Sequence, residues 1–155
     1  MEKEIVEKLI KNKETISSME SCTAGYFATT ITNVSGSSEV FNFGAITYSN
    51  DYKIKFGVNK ETIDKYTVYS NEVSREMSKR INEYTLSTYS VGITGQIGRI
   101  DPSNPYGKVN EVFASIYNSK KDEYTDLIIN FSENDRLECK KIIVNKVLEK
   151  LNELL

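Results

Sequence analysis

Strand and helix patterns alternate along the first two thirds of the chain, and this alternation limits the fold more than any other feature. Short apolar runs typical of strands cover 15–20, 40–48 and 89–94, and helical segments separate them. Because a helical crossover returns the chain to the same end of a sheet, these three strands are predicted to be parallel. Strands 111–117 and 124–131 follow by direct connections, so the fourth strand is predicted to be antiparallel to its neighbours.

The helical segments complete a three-layer α/β/α arrangement around this mixed five-strand sheet. The clearest helix covers 71–88, with a predicted buried stripe of Val73, Met77, Ile81 and Tyr84. The last helix is predicted to begin at Ser132, which forms a capping-box pattern with Asp135. A length of 155 residues suits one domain, so residues 1–155 are predicted to form a single unit.

The absence of histidine limits the chemistry of this chain. It excludes Ser-His-Asp and Cys-His catalysis and imidazole metal sites within the chain. A general base would have to be lysine, aspartate, glutamate or tyrosine. Cys22 and Cys139 are too few for a four-thiolate zinc site, and we expect both to be reduced thiols.

Charge and hydropathy exclude further classes of protein. The 20 basic and 22 acidic residues do not favour binding to nucleic acid or to an anionic membrane surface. No apolar run is near the roughly 20 residues of a membrane-spanning helix. The charged start, Met1–Glu4, does not resemble a secretion signal. We therefore expect a soluble, cytoplasmic protein.

Ser21 follows the first predicted strand, at the turn that leads into a helix. Backbone N–H groups at such a turn can bind the oxyanion of an acyl-transfer intermediate, so a serine there could be a nucleophile. The commoner role is a helix N-cap, for which Thr23 is as well placed. Cys22 is another candidate nucleophile, because a helix start lowers the pKa of a thiol. Its alternative role is that of a small buried residue.

Lys53 is the candidate base for a serine nucleophile, since lysine can replace histidine when burial lowers its pKa. It lies just after the second strand, in the segment Tyr48–Lys53. The first two strands are predicted to be neighbours, so Ser21 and Lys53 would share the carboxyl edge of the sheet, where ligands bind in such folds. A solvated lysine on a helix is the alternative.

Other positions could contact a ligand. Thr94 closes the third strand at the same edge, and Arg136 could hold an anionic group. Gly36 and Ser37 lie in a loop of small residues that could hold a phosphate, although it lacks the lysine and spacing of a P-loop. The structural alternatives are a strand-end turn at Thr94, a surface arginine at Arg136 and an ordinary turn at Gly36.

Two further features could carry function. The carboxylates of Glu20 and Asp51 are a candidate pair for a hard cation. The segment 96–108 holds both prolines and reads as a long loop, and long loops in compact domains are often functional.

Taken in order, these segments resemble the CinA C-terminal domain family, the nicotinamide mononucleotide deamidases. The resemblance covers nearly the whole chain and is most specific in its first segment and in the spacing of Tyr48 and Lys53. The matching segments are Glu20-Ser21-Cys22-Thr23-Ala24-Gly25, Gly36-Ser37-Ser38 with Phe41, Tyr48-Ser49-Asn50 with Lys53, Val68-Tyr69-Ser70, Ile93-Thr94-Gly95 and Asp135-Arg136.

The resemblance implies a Ser-Lys amidohydrolase with a similar fold. It implies that Ser21 is the nucleophile, Lys53 the general base and Tyr48 an assisting hydroxyl. Thr94 and Arg136 match further active-site positions of the family, and Thr23, Gly36 and Ser37 complete the predicted set of substrate-binding residues. The reaction would hydrolyse the carboxamide of nicotinamide mononucleotide to the acid mononucleotide and ammonia, without metal or organic cofactor. The partner would be a small nucleotide, not nucleic acid or membrane, and a homo-oligomer is compatible with this reading.

The chain departs from the family pattern in two places. The family usually has glycine where Ala24 stands. It also has a glycine- and proline-rich loop where this chain continues Gln96-Ile97-Gly98-Arg99-Ile100-Asp101-Pro102. Because that loop is expected to shape the substrate pocket, the alternative hypothesis is a non-catalytic nucleotide-binding or regulatory module of the same fold.

Overall fold

A five-strand sheet crosses the middle of the computed structural model, which describes residues 1–155. Its strands are β1 (Ile16–Glu20), β2 (Phe41–Ile46), β3 (Tyr89–Gln96), β4 (Glu111–Asn118) and β5 (Glu123–Asn130). They lie in the order β2-β1-β3-β4-β5. Strand β1 is parallel to β2 and β3, whereas β4 is antiparallel to β3 and β5. The predicted mixed sheet with an antiparallel fourth strand is confirmed.

Helices cover both faces of this sheet, which confirms the three-layer architecture. They are α1 (Glu2–Asn12), α2 (Tyr26–Thr32), α3 (Asn50–Lys55), α4 (Lys60–Tyr66), α5 (Asn71–Thr85) and α6 (Arg136–Leu154). The larger core, of 22 buried residues, lies beneath α1, α2 and α6, and a second core of 8 lies beneath α4 and α5. None of the six helices combines the length and apolar character needed to cross a bilayer.

Helix α5 approaches the sheet closely because β3 has no side chain at Gly92. A Cβ atom there would lie 2.2 Å from the carbonyl oxygen of Ser74 and 2.7 Å from the backbone nitrogen of Ser78. The predicted stripe of Val73, Met77 and Ile81 is fully buried. The prediction was wrong for Tyr84, which is 62% exposed, and for the end of the helix, which stops at Thr85 before Leu86 adopts a left-handed conformation.

Two predicted helix starts differ from the structure. Helix α6 begins at Arg136, and its N-cap is Asp135, whose side chain accepts a hydrogen bond from the Glu138 N–H. The prediction that Ser132 begins this helix was therefore wrong. Helix α2 begins only at Tyr26, after Gly25 in a left-handed conformation. Ser21 lies too far before this helix to be its N-cap.

Candidate active site

The carboxyl ends of the three parallel strands bring the candidate residues together. The backbone N–H of Ser21, directly after β1, donates to the Ile93 carbonyl of β3 at 2.9 Å. On the other side, the Thr47 N–H that follows β2 donates to the Glu20 carbonyl at 2.8 Å. Residues that follow β1 and β2 therefore face a common edge with the end of β3, as expected for ligand sites in such sheets.

A cleft of about 400 Å³ opens at this edge. Five of the eight predicted site residues line it, namely Ser21, Tyr48, Lys53, Thr94 and Arg136. The remaining lining residues come mostly from the segment around Tyr69 and from the loop that follows β3. The geometry thus joins residues that follow β1 and β2 with residues of α3, β3, α6 and two connecting segments.

Lys53 and Ser21 are in direct contact at the bottom of this cleft. The Lys53 Nζ lies 3.0 Å from the Ser21 Oγ and 2.9 Å from the Thr47 carbonyl oxygen. The lysine is only 1% exposed. Because burial disfavours the charged amine, the pKa of Lys53 falls from 10.5 to about 8. About a tenth of the amine is then neutral at pH 7, compared with a negligible fraction for an ordinary lysine, and only the neutral amine can act as a general base.

Cys22 also lines the cleft, but burial raises the pKa of its thiol to about 12. The expectation of a lowered pKa at a helix start was wrong for this residue, because the thiol is buried and α2 begins four residues later. A thiol with this pKa is protonated at neutral pH and is a poor nucleophile. The structure therefore favours the small buried role for Cys22.

The turn that carries Ser21 is held by the buried carboxylate of Glu20. One carboxylate oxygen accepts from the Thr23 hydroxyl at 2.7 Å and from the Phe27 N–H at 2.9 Å. The other accepts from the Ala28 N–H at 3.1 Å. Glu20 therefore satisfies two of the free N–H groups at the start of α2 and ties the turn to that helix.

The contacts of Glu20 argue against two predictions from the sequence: the Thr23 side chain as a ligand contact, and Glu20 with Asp51 as a cation site. The Thr23 side chain is fully buried against Glu20 and does not enter the cleft. Glu20 and Asp51 do not form a cation site, because the Glu20 oxygens are bound to protein donors and Asp51 lies exposed on α3. No group of three or more acidic or cysteine side chains in the chain is arranged so that it could hold a metal ion.

Backbone N–H groups beside Ser21 remain available in the turn. Neither the Cys22 nor the Thr23 N–H donates to an acceptor within the chain, whereas the Ala24 N–H donates to the Ser21 carbonyl at 3.0 Å. Ala24 has φ 50°, in the left-handed region. The tight turn thus leaves two donors free directly after the serine.

Tyr48 and Arg136 meet at the rim of the cleft. One guanidinium nitrogen of Arg136 donates to the Ile97 carbonyl at 2.6 Å and another to the Tyr48 hydroxyl at 3.4 Å. Tyr48 is 60% exposed and makes no hydrogen bond with Ser21 or Lys53. The pair is positioned to contact the outer part of a ligand.

The other predicted positions have different surroundings. The Thr94 hydroxyl faces the segment before α5, where it donates to the Val68 carbonyl at 2.8 Å. Gly36 and Ser37 precede β2 and lie at the amino end of that strand, away from the cleft. The Ser37 hydroxyl donates to the Thr32 carbonyl at 3.4 Å. Within this chain the structure does not bring Gly36 and Ser37 to the other site residues.

The loop after β3 lines the cleft, as the sequence led us to expect, and it is held by contacts that the sequence did not predict. Gln96 accepts from the Asp101 N–H at 2.9 Å and donates to the Tyr106 carbonyl at 2.6 Å. The side-chain amides of Asn50 and Asn104 exchange two hydrogen bonds, of 2.7 and 3.1 Å. The sequence indicated this loop by its length and by its departure from the family pattern, but it did not indicate these contacts, since amide pairing depends on the tertiary structure.

Fold and site together define a three-layer α/β/α domain with a buried serine–lysine pair at the carboxyl edge of a mixed sheet. The model of the CinA C-terminal domain family matches residues 1–155, and the chain belongs to this family. The resemblance noted in the sequence is therefore confirmed.

Relatives agree with this family assignment, and solved structures share the fold. A protein of Thermoanaerobacter pseudethanolicus whose name describes it as competence-damage inducible is 39% identical over 118 residues, 74% of this chain and 29% of its own length. The chain thus spans less than a third of that relative. The Agrobacterium tumefaciens competence/damage inducible protein CihA superposes with a TM-score of 0.85 at 24% identity, over 99% of this chain and 94% of its own. A CinA superfamily protein of Escherichia coli gives 0.89 at 20% identity, over 100% and 91%.

Proposed function

We propose that this chain hydrolyses the carboxamide of nicotinamide mononucleotide to the acid mononucleotide and ammonia, with Ser21 as nucleophile and Lys53 as general base. The observation that carries this proposal is the 3.0 Å contact between the Ser21 Oγ and the Lys53 Nζ. It is supported by the burial of Lys53, which lowers its pKa to about 8. Since the chain has no histidine, a lysine in this position supplies the missing base.

In the first step, the Ser21 Oγ attacks the carboxamide carbon while neutral Lys53 takes the hydroxyl proton. The tetrahedral intermediate then collapses, the C–N bond breaks, and the Lys53 ammonium gives its proton to the departing nitrogen. Ammonia leaves, and the substrate acyl group is esterified to Ser21.

In the second step, water attacks the ester carbon and Lys53 accepts a proton from that water. Collapse of the second intermediate breaks the bond to the Ser21 Oγ, which recovers its proton from Lys53. The product is the carboxylic acid of the mononucleotide, and both side chains return to their starting protonation states. One amide and one water are consumed, and one acid and one ammonia are formed.

Surrounding groups have complementary roles in this proposal. The free N–H groups of Cys22 and Thr23 would stabilise the oxyanion of both intermediates. Arg136 and Tyr48 at the rim would bind the outer, phosphate-bearing part of the substrate, because guanidinium pairs well with phosphate. Thr94 lines the wall between these two regions.

The direct test is ammonia release from nicotinamide mononucleotide by the purified protein, with the acid mononucleotide identified as the second product. Lys53→Arg should abolish release, because guanidinium stays charged and cannot act as a base. Lys55→Arg is a matched control on the exposed side of the same helix and should retain activity. Binding of the mononucleotide without any ammonia release by the unmodified chain would instead support a non-catalytic nucleotide-binding module.

A further inference from the structure

The cleft contains charged side chains of both signs that have no ionic partner in the chain. The Asp101 carboxylate and the guanidinium groups of Arg99 and Arg136 all line it. None of the three takes part in a salt bridge. Opposite charges held separately in one cleft complement a ligand that carries a cation and an anion at separate positions.

Asp101 is held in place by the loop that carries it. Its carboxylate accepts from the Ser103 N–H at 2.9 Å and from the Asn104 side-chain amide at 3.3 Å. Asn104 in turn pairs with Asn50 at the start of α3, the helix that bears Lys53. The carboxylate is therefore linked, through two side chains, to the element that positions the proposed base.

The Asp101 charge reaches the bottom of the cleft. Burial lowers the pKa of Lys53 and raises that of Tyr69, and in both cases the nearby Asp101 carboxylate pushes the pKa upward. A cation bound between these residues would be attracted by the same negative charge of Asp101.

We propose that Asp101 is a specificity-determining residue that selects carboxamides attached to a cationic ring over uncharged carboxamides. The inference rests on the proposed function and extends it. The pyridinium ring of the mononucleotide would lie near Asp101, with its carboxamide at Ser21 and its phosphate toward Arg136. The Asp101 carboxylate thus gives the cleft a preference for a cationic substrate, which the Ser21–Lys53 pair alone does not provide.

The test compares two forms of one ligand that differ in ring charge. Dissociation constants would be measured for nicotinamide mononucleotide and for its reduced, uncharged dihydropyridine form, in a Ser21→Ala background that prevents turnover. Adding Asp101→Asn, which keeps an oxygen acceptor for the Ser103 N–H, should weaken binding of the cationic form about tenfold. Binding of the reduced form should change less than about twofold. Adding Glu111→Gln, which removes the same charge outside the cleft, should affect neither.

The outcomes separate this inference from the proposed function. Equal weakening of both forms would show that Asp101 only holds the loop. Unchanged binding of both forms would show that the charge of Asp101 does not contribute to binding the ring. Either result overturns the inference while leaving the amidohydrolase proposal intact. Failure of both forms to bind the Ser21→Ala protein would overturn the substrate class and, with it, both proposals.

Discussion

The Ser21 Oγ and the Lys53 Nζ lie 3.0 Å apart although 32 positions separate the two residues in the chain. Ser21 directly follows β1, and Lys53 lies on the helix after β2. Parallel pairing of β1 with β2, in a register that ends with Glu20 opposite Ile46, brings the two side chains together. Both residues are buried, and burial is what lowers the pKa of the Lys53 amine.

Ser21→Ala should reduce ammonia release from nicotinamide mononucleotide to background while the protein stays folded. The serine side chain caps no helix, so its loss should cost only its hydrogen bond with Lys53, about 0.5–1.5 kcal/mol of the free energy of unfolding. Cys22→Ala is the matched control and should retain most activity, because its thiol is protonated at neutral pH. Turnover would be followed by ammonia detection and folding by circular dichroism. Loss of activity in Cys22→Ala alone would identify the thiol as the nucleophile.

The activity should rise with pH through a single ionisation near pH 8, the pKa to which burial lowers Lys53. Only the neutral amine can accept the Ser21 proton, so kcat/KM should increase about tenfold per pH unit below this value and level off above it. The measurement is kcat/KM for ammonia release from about pH 6 to about pH 9.5. A profile that stays flat across this range would rule out Lys53 as the titrating base.

Lys53→Met should stabilise the protein at neutral pH while abolishing activity. A pKa lowered from 10.5 to about 8 means that the unfolded chain binds more protons between these values, so wild-type stability rises with pH through that window. At pH values below this window, burial of the charged amine lowers the free energy of unfolding by roughly 3 kcal/mol. Methionine removes that cost but leaves the Thr47 carbonyl without its donor, at about 1–2 kcal/mol.

The expected net gain for Lys53→Met is therefore about 1–2 kcal/mol near pH 6.5. The gain should shrink and then reverse as the pH approaches 10.5, because the wild-type penalty disappears. Urea unfolding of both proteins at several pH values would measure the difference. A stability difference that does not vary with pH would show that the pKa of Lys53 is not lowered in the folded protein.

Arg136→Ala should weaken use of the phosphorylated substrate more than use of the corresponding nucleoside. Guanidinium–phosphate pairs are strong, so kcat/KM for the mononucleotide should fall about tenfold or more while that for the nucleoside changes little. The same assays on Arg99→Ala would show which of the two cleft guanidinium groups contacts the phosphate. An equal fall for both compounds would mean that Arg136 acts only by holding the Ile97 carbonyl and its loop.

Ala24→Gly should stabilise the chain. Ala24 has φ 50°, a conformation that costs an L-residue about 1 kcal/mol and glycine little. We expect the free energy of unfolding to rise by about 0.5–1 kcal/mol with turnover unchanged. Ala28→Gly, inside α2, is a control of opposite sign and should destabilise by about 1 kcal/mol. Destabilisation by Ala24→Gly would show that the turn is not strained at this position.

Sequence periodicity and connection lengths were enough to predict the mixed sheet, because helical crossovers and hairpins dictate strand direction. The same reasoning placed Ser21 and Lys53 at one edge, since residues that follow neighbouring parallel strands must emerge together. The residues at which helices begin and end were less predictable. Ser132 matched a capping pattern, but Asp135 forms the cap, because either side chain satisfies the pattern and packing decides which one is used.

What the sequence determined by itself is local and topological: the element order, the strand directions, the absence of histidine and the positions of candidate groups. Only the tertiary structure decided which side chains face the cleft. Thr23 turns inward to Glu20, Gly36 remains at the far end of β2, and Asp101 enters the cleft on its loop. These outcomes depend on how the chain packs and on which polar groups are buried together. A local sequence pattern contains no information about such tertiary contacts.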